Sequence, residues 1–184
     1  MRSLVIICCS ILFFGCNSSI SQNIKLTDLE SNQIKASYVD LYDNKVDLSA
    51  FKGKKVLINY WATWCGPCIQ EMPSLLKAQE ALKAENYVFL LVSDEAIKRI
   101  SRFKDRKNYN FTYLKSTTSL ASMRIFTLPT TVIFNEDGKK VKTMVGAIEW
   151  DSKQMIKKLK AYNMKNFIVL VFMMVLISCS KQEV

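Results

Sequence analysis

The sequence predicts a single α/β domain: helices packed on a mixed central sheet, with a β-hairpin at its N-terminal side. Three observations lead there. Compact apolar runs twice precede segments with helical spacing, which is the order of strands in a parallel sheet with covering helices. The tetrapeptide Asn135-Glu136-Asp137-Gly138 separates two β-rich runs, so the last two strands pair antiparallel. The chain of 184 residues, 49% of them apolar, suits one domain around one core and excludes a disordered or low-complexity protein.

Each element has its own signal. Ala36 to Leu41 and Lys45 to Leu48 flank the turn residues Tyr42-Asp43-Asn44, a short hairpin. Val56 to Tyr60 is a compact, partly β-branched strand. From Pro67 to about Ala84, Ile69, Met72, Leu75, Leu76, Ala78 and Leu82 recur at helical spacing. Tyr87 to Val92 is the next buried strand, and Glu95 to Lys107 a charged helix with an apolar stripe of Ile97, Ile100 and Phe103. Phe111 to Leu114 is expected as a short edge strand and Leu120 to Phe126 as a short helix. Thr131 to Phe134 and Lys140 to Val145 form the closing hairpin, with Gly138 where φ must be positive. Trp150 to Tyr162 is the last helix, begun near Asp151 or Ser152, with Met155, Ile156 and Leu159 toward the core.

Both ends read as appendages. Met1-Arg2, the apolar run Leu4 to Phe14, and Gly15-Cys16 before polar Asn17-Ser18-Ser19 form a secretory signal, residues 1–16, too short for the ~20 apolar residues of a membrane span. A small residue before a Cys that closes an apolar stretch resembles a bacterial lipobox, which implies lipid attachment at Cys16; an ordinary signal anchor is the other reading. Residues 17–33 are a polar tether, and the domain is placed at 34–163. Residues 164–184 again run from Met164-Lys165-Asn166 through an apolar stretch to Ser178-Cys179. At ~1.5 Å per residue, Phe167 to Ile177 spans roughly half of a ~30 Å hydrocarbon core, so this tail reads as a second lipoprotein-type signal outside the fold, or as a short membrane-associating tail.

Charge and composition narrow the chemistry. Twenty-six Lys and Arg against sixteen Asp and Glu give a net charge of +10, yet the basic residues are scattered, without an aromatic-interleaved patch, so no nucleic-acid partner is expected. A basic, lipid-anchored domain instead lies favourably near anionic headgroups, an effect that salt screens. The absence of His excludes Ser-His-Asp and Cys-His catalysis and His-based metal sites, leaving Cys, carboxylates, Lys and Tyr.

Trp61-Ala62-Thr63-Trp64-Cys65-Gly66-Pro67-Cys68 stands where the first core strand meets the first helix. A helix N-terminus presents unsatisfied N–H groups and the positive end of its dipole, which stabilise a thiolate at Cys65. Two intervening residues let Cys68 reach it as a reducible disulfide, and Pro67 suits the first helical turn, where no N–H partner is lost. Half a zinc site is the first rival reading, short of ligands because the exported domain holds no other Cys and the chain no His. A structural disulfide is the second, weakened because so short a loop removes little chain entropy.

These residues, with Phe51-Lys52-Gly53-Lys54, Asn59-Tyr60 and Leu128-Pro129-Thr130, closely resemble the thioredoxin superfamily and, more narrowly, its membrane-anchored TlpA/ResA-like thiol-disulfide oxidoreductases, over about Ala36 to Tyr162. The resemblance implies a thioredoxin-like three-layer α/β/α sandwich. It makes Pro129 a cis-proline whose loop, with Leu128, packs against the dithiol and offers backbone to an extended substrate segment. It places Trp64, Gly66 and Pro67 in support of the active site, and makes Pro73 a kink in the active-site helix. Thioredoxins proper carry a buried Asp where this chain has Asn59, which cannot exchange a proton. Glu71, three residues after Cys68 on the same helix face, matches the acidic residue thought to manage the resolving thiol's proton; a solvated Glu that merely favours the early helix is the alternative. Trp61 and Trp64 are expected to pack beside the dithiol and shield it, or to belong to the core.

The expected protein is thus a monomeric, lipid-anchored thiol-disulfide oxidoreductase on the periplasmic or exterior side. It needs no metal or organic cofactor beyond the Cys65-Cys68 couple; its partners are disulfide-bearing proteins and a membrane thiol carrier that donates electrons. The Gly-Pro dipeptide resembles reducing thioredoxin, so reduction is the expected direction, with cytochrome c maturation the pathway by resemblance. An oxidant or isomerase of secreted disulfides uses the same residues. A copper chaperone would use the thiolates as soft ligands, and a peroxidase would need a peroxidatic Cys in its own loop context, which the sequence lacks.

Overall fold

The computed structural model describes residues 37–162. The signal segment, the tether, Cys16 and residues 164–184 lie outside the described residues. Their order is β1 (Tyr38–Val39), β2 (Lys45–Val46), β3 (Lys55–Tyr60), α1 (Gly66–Ala81), β4 (Tyr87–Ser93), α2 (Ile97–Lys107), β5 (Thr112–Ser116), β6 (Thr130–Phe134), β7 (Lys140–Val145) and α3 (Lys153–Ala161). Within the described residues the seven strands form one mixed sheet in the order β2-β1-β5-β4-β3-β6-β7. The three central strands β3, β4 and β5 are parallel, and the flanking pairs are antiparallel. This is a thioredoxin-like α/β fold.

The placement of the helices follows from strand order. The chain steps from β3 to β4 to β5 in one direction across the sheet, and two crossovers of the same right hand put their helices on the same face. Met72, Leu75 and Ala78 of α1, Ile100 and Phe103 of α2 and Leu159 of α3 accordingly share one cluster with Leu57, Phe89, Leu91 and Ile133 of the sheet. The opposite face, carrying Val56, Ile58, Leu90, Val92 and Leu114, is covered by Leu48, Phe51, Leu120, Met123 and Ile125. Among the described residues its outer layer is made of a 3-10 turn, Leu48–Phe51, and an irregular segment, with no full α-helix.

Two elements depart from expectation. The strand expected at the sheet edge is interior, because the N-terminal hairpin comes back to pair β1 with β5, Tyr38 opposite Ser116. Pairing covers a row of backbone groups that an edge would leave open. The short helix expected at Leu120 to Phe126 is only a hydrogen-bonded turn, with Met123 N bonded to Ser119 O at 3.2 Å and Ile125 N to Leu120 O at 2.9 Å; Arg124, at φ 61°, ends it in the left-handed region.

Local signals account for the rest. Asn135 Oδ1 accepts the N–H groups of Asp137 and Lys139 at 3.1 and 2.9 Å, and Gly138 at φ 75° completes the β6–β7 turn. The side chain of Ser152 caps α3 through Met155 N at 3.3 Å. Helix α1 carries Pro73 without interruption and stops at Leu82, after which Asn86 at φ 58° turns the chain into β4. No described helix is long and apolar enough to cross a membrane.

Candidate active site

Strand β3 delivers the dithiol. After Tyr60 the chain leaves the sheet, Cys65 N bonds to Ala62 O at 3.0 Å, and Cys65 becomes the N-cap of α1. Cys65 and Cys68 are joined as a disulfide with their Cα atoms 5.3 Å apart. Cys68 N donates to Cys65 Sγ at 3.2 Å. In the reduced protein that N–H and the helix dipole aim at the Cys65 sulfur and stabilise its thiolate. Accessibility separates the two sulfurs: Cys65 keeps 4% exposure while Cys68 has none. An external disulfide can therefore meet only Cys65, and Cys68 is placed to attack from within. Gly66 and Pro67 are exposed at the tip between them.

The Leu128-Pro129 bond is cis, as expected. Leu128 packs against the cluster that contains both cysteines, and Gly146 N donates to Pro129 O at 2.8 Å, tying this loop to the end of β7.

Glu71 is a buried carboxylate, 4% exposed, so the reading as a solvated helix residue fails. It sits one turn after Cys68 on α1. Its Oε2 accepts Ile148 N at 2.9 Å and Trp150 Nε1 at 3.0 Å, and its Oε1 accepts Asn59 Nδ2 at 2.8 Å. Burial pushes the Glu71 pKa above the ordinary carboxylate range, and the donors from Trp150, Ile148 and Asn59 pull it part of the way back. A carboxylate raised in this way is a stronger proton acceptor than an ordinary one, which suits a base for a neighbouring thiol.

Three of these partners escaped the sequence reading of the proton site. Asn59, which cannot exchange a proton, holds Glu71 and makes a second bond to Thr131 Oγ1 at 2.9 Å. Trp150, expected at the start of the last helix, lies before α3, fully buried, with its indole N–H on Glu71. Ile148 contributes only a backbone N–H, which carries no side-chain signal. Ser74 Oγ locks this junction, bonded to Glu71 O at 2.8 Å and to Trp150 N at 3.2 Å. Trp150→Phe removes one donor to the carboxylate and keeps most of the apolar volume. The expected outcome is a further rise in the Glu71 pKa, seen as a shift to higher pH of the profile for Cys68 reactivity in stopped-flow thiol exchange.

The two motif tryptophans separate. Trp61 is fully buried against Phe103 and Tyr113, with ring centroids at 4.6 and 5.7 Å. Trp64 is 71% exposed and lies on the surface beside Cys65. The physical cause is the turn after β3, which drives position 61 into the core and leaves position 64 outside. Glu95, expected to open the charged helix, lies before α2 and fastens this turn by accepting Thr63 N at 2.6 Å and Thr63 Oγ1 at 2.9 Å.

The sequence model of the Redoxin family matches residues 25–162. The chain is 35% identical over 126 residues to the thioredoxin-like protein YneN of Bacillus subtilis, covering 65% of this chain and 71% of that one. It is 31% identical over 122 residues to the thiol-disulfide oxidoreductase ResA of Halalkalibacterium halodurans, covering 65% and 68% respectively. Among solved structures, it is similar to the exposed lipoprotein thioredoxin of Streptococcus pneumoniae, with a TM-score of 0.52 and 28% identity over 66% of this chain and 97% of that one.

Proposed function

The chain belongs to the Redoxin family, and on that premise we propose that it is a thiol-disulfide oxidoreductase that reduces protein disulfides outside the cytoplasm. One observation carries the reading: a Cys65–Cys68 disulfide at the N-terminus of α1, with Cys65 alone reachable and a buried carboxylate one turn behind Cys68. The ResA relative, itself a thiol-disulfide oxidoreductase, supports it.

In the proposed cycle the Cys65 thiolate attacks one sulfur of the substrate disulfide, and the other leaves as a thiolate. Glu71 takes the Cys68 proton, the Cys68 thiolate attacks the Cys65 sulfur of the mixed disulfide, and the second substrate thiolate departs. Two electrons have passed to the substrate and Cys65–Cys68 is oxidised. In this reading the Cys65–Cys68 dithiol carries the electrons without a metal or organic cofactor, and a membrane thiol carrier returns two electrons to it. Lipid attachment at Cys16 would hold this monomeric domain on the membrane; the likeness to an exposed lipoprotein thioredoxin supports that part. Cytochrome c maturation is the proposed pathway.

Redox titration against glutathione tests the direction. A reductant should titrate near thioredoxin's potential of about −270 mV; a value near the about −120 mV of DsbA would make the protein an oxidant.

A further inference from the structure

Helix α2 is the most strongly charged element of the described chain: Lys98, Arg99, Arg102, Lys104, Arg106 and Lys107 against Asp105 alone. Arg99, Arg102 and Arg106 stand at i, i+3 and i+7 and so share one stripe, which faces Thr63 across an open groove of about 440 Å³. Asp105 also lines this groove. Arg99 is bonded at 3.3 Å to Glu95, whose side chain is only 10% exposed. Arg102 and Arg106 are exposed and have no ion pair among the described residues. Thr63 lies two residues before Cys65, with the exposed Trp64 between them.

We infer that the groove between Thr63 and the arginine stripe of α2 receives an acidic segment of the polypeptide whose disulfide is presented to Cys65. The inference rests on the exchange reading above and names the substrate class of that same site. Guanidinium groups pair carboxylates in a planar, two-bonded geometry, so a concave row of them favours Asp and Glu side chains of an extended segment. A flat layer of anionic headgroups meets the outer lysines more easily than a recess. Thr63 lines the groove two residues before Cys65, so a carboxylate held there orients the neighbouring cystine toward that sulfur.

The test uses two synthetic disulfide peptides, identical except that Glu residues flanking the cystine in one are Gln in the other. Wild-type protein is expected to reduce the acidic peptide with a kcat/KM roughly tenfold higher, an advantage that shrinks as salt is raised. Arg102→Glu/Arg106→Glu changes only exposed side chains. It should abolish the preference while leaving reduction of the neutral peptide and of hydroxyethyl disulfide unchanged. Binding of a fluorescent acidic peptide with Ser in place of Cys reads the groove without any redox step, and should weaken roughly tenfold in the double variant. Equal kcat/KM for the two peptides, or equal binding by the two proteins, overturns the inference. Loss of binding to phosphatidylglycerol vesicles with peptide binding unchanged also overturns it and gives the stripe to lipid. Failure to reduce any disulfide, with the binding difference intact, overturns the exchange reading and leaves the groove.

Discussion

Reduced Cys68→Ser protein, mixed with an extract of its native cell envelope, should accumulate as mixed disulfides through Cys65, while Cys65→Ser captures nothing. The asymmetry follows from burial. Cys65 is at the surface end of α1 with the Cys68 N–H on its sulfur, whereas Cys68 is sealed and can act only after Cys65 has been joined to a substrate. Turnover should fall by several orders of magnitude in either variant. Stability should change far less, because closing so short a loop accounts for at most about 2 kcal/mol of chain entropy. The measurement is non-reducing electrophoresis with mass spectrometry of the trapped species, alongside denaturant unfolding. Equal trapping by both variants would reverse the assignment of nucleophile and resolving thiol.

Glu71→Gln is expected to slow the Cys68-dependent resolving step by about 10²- to 10⁴-fold, the usual range for losing a positioned base. The wild-type rate should rise with pH through the elevated Glu71 pKa, and the variant should lose that limb. The stability of the oxidised protein gives a second readout. The folded-state pKa lies above the unfolded one, so between the two values the native state holds a proton that the unfolded chain has released. Stability is therefore full below the ordinary carboxylate range and declines as pH rises through the raised value, and Glu71→Gln should flatten that decline. The variant itself should fold: its amide oxygen can still accept Ile148 N and Trp150 Nε1. Rotation of the Asn59 amide would turn its otherwise unpartnered Oδ1 toward the new NH2. Glu71→Ala has no such relief, and each buried donor it orphans costs about 1–3 kcal/mol.

The contrast between Glu71 and Trp64 shows where sequence reasoning holds and where it stops. The spacing of Glu71 from Cys68 is local, and a helix turns local spacing into proximity, so its place behind the dithiol was legible. The partners that hold it arrive from β3 and from the loop after β7, at separations of 12 to 79 residues that no local pattern encodes. Trp61 and Trp64 look alike in the motif, yet one lies under α2 and the other in solvent, because their sides are set by a turn that Glu95 fastens from the loop after β4. The strand at Thr112–Ser116 was visible as a strand, but its interior position depends on a hairpin some seventy residues earlier folding back beside it.

The amino-acid sequence alone determined the dithiol, its seat at a helix start, the strand and helix order, the closing hairpin and the Leu128-Pro129 loop. All are written in short-range period, turn chemistry and motif. Only the tertiary structure decided that the three helices share one face, that Cys68 and Glu71 are sealed, that Trp150 and Asn59 hold the carboxylate, and that the arginines of α2 line a groove with Thr63, two residues before Cys65. Those properties belong to pairs of residues distant in the chain. Burial, and with it the elevation of the Glu71 pKa, exists only once the sheet and helices have closed around them.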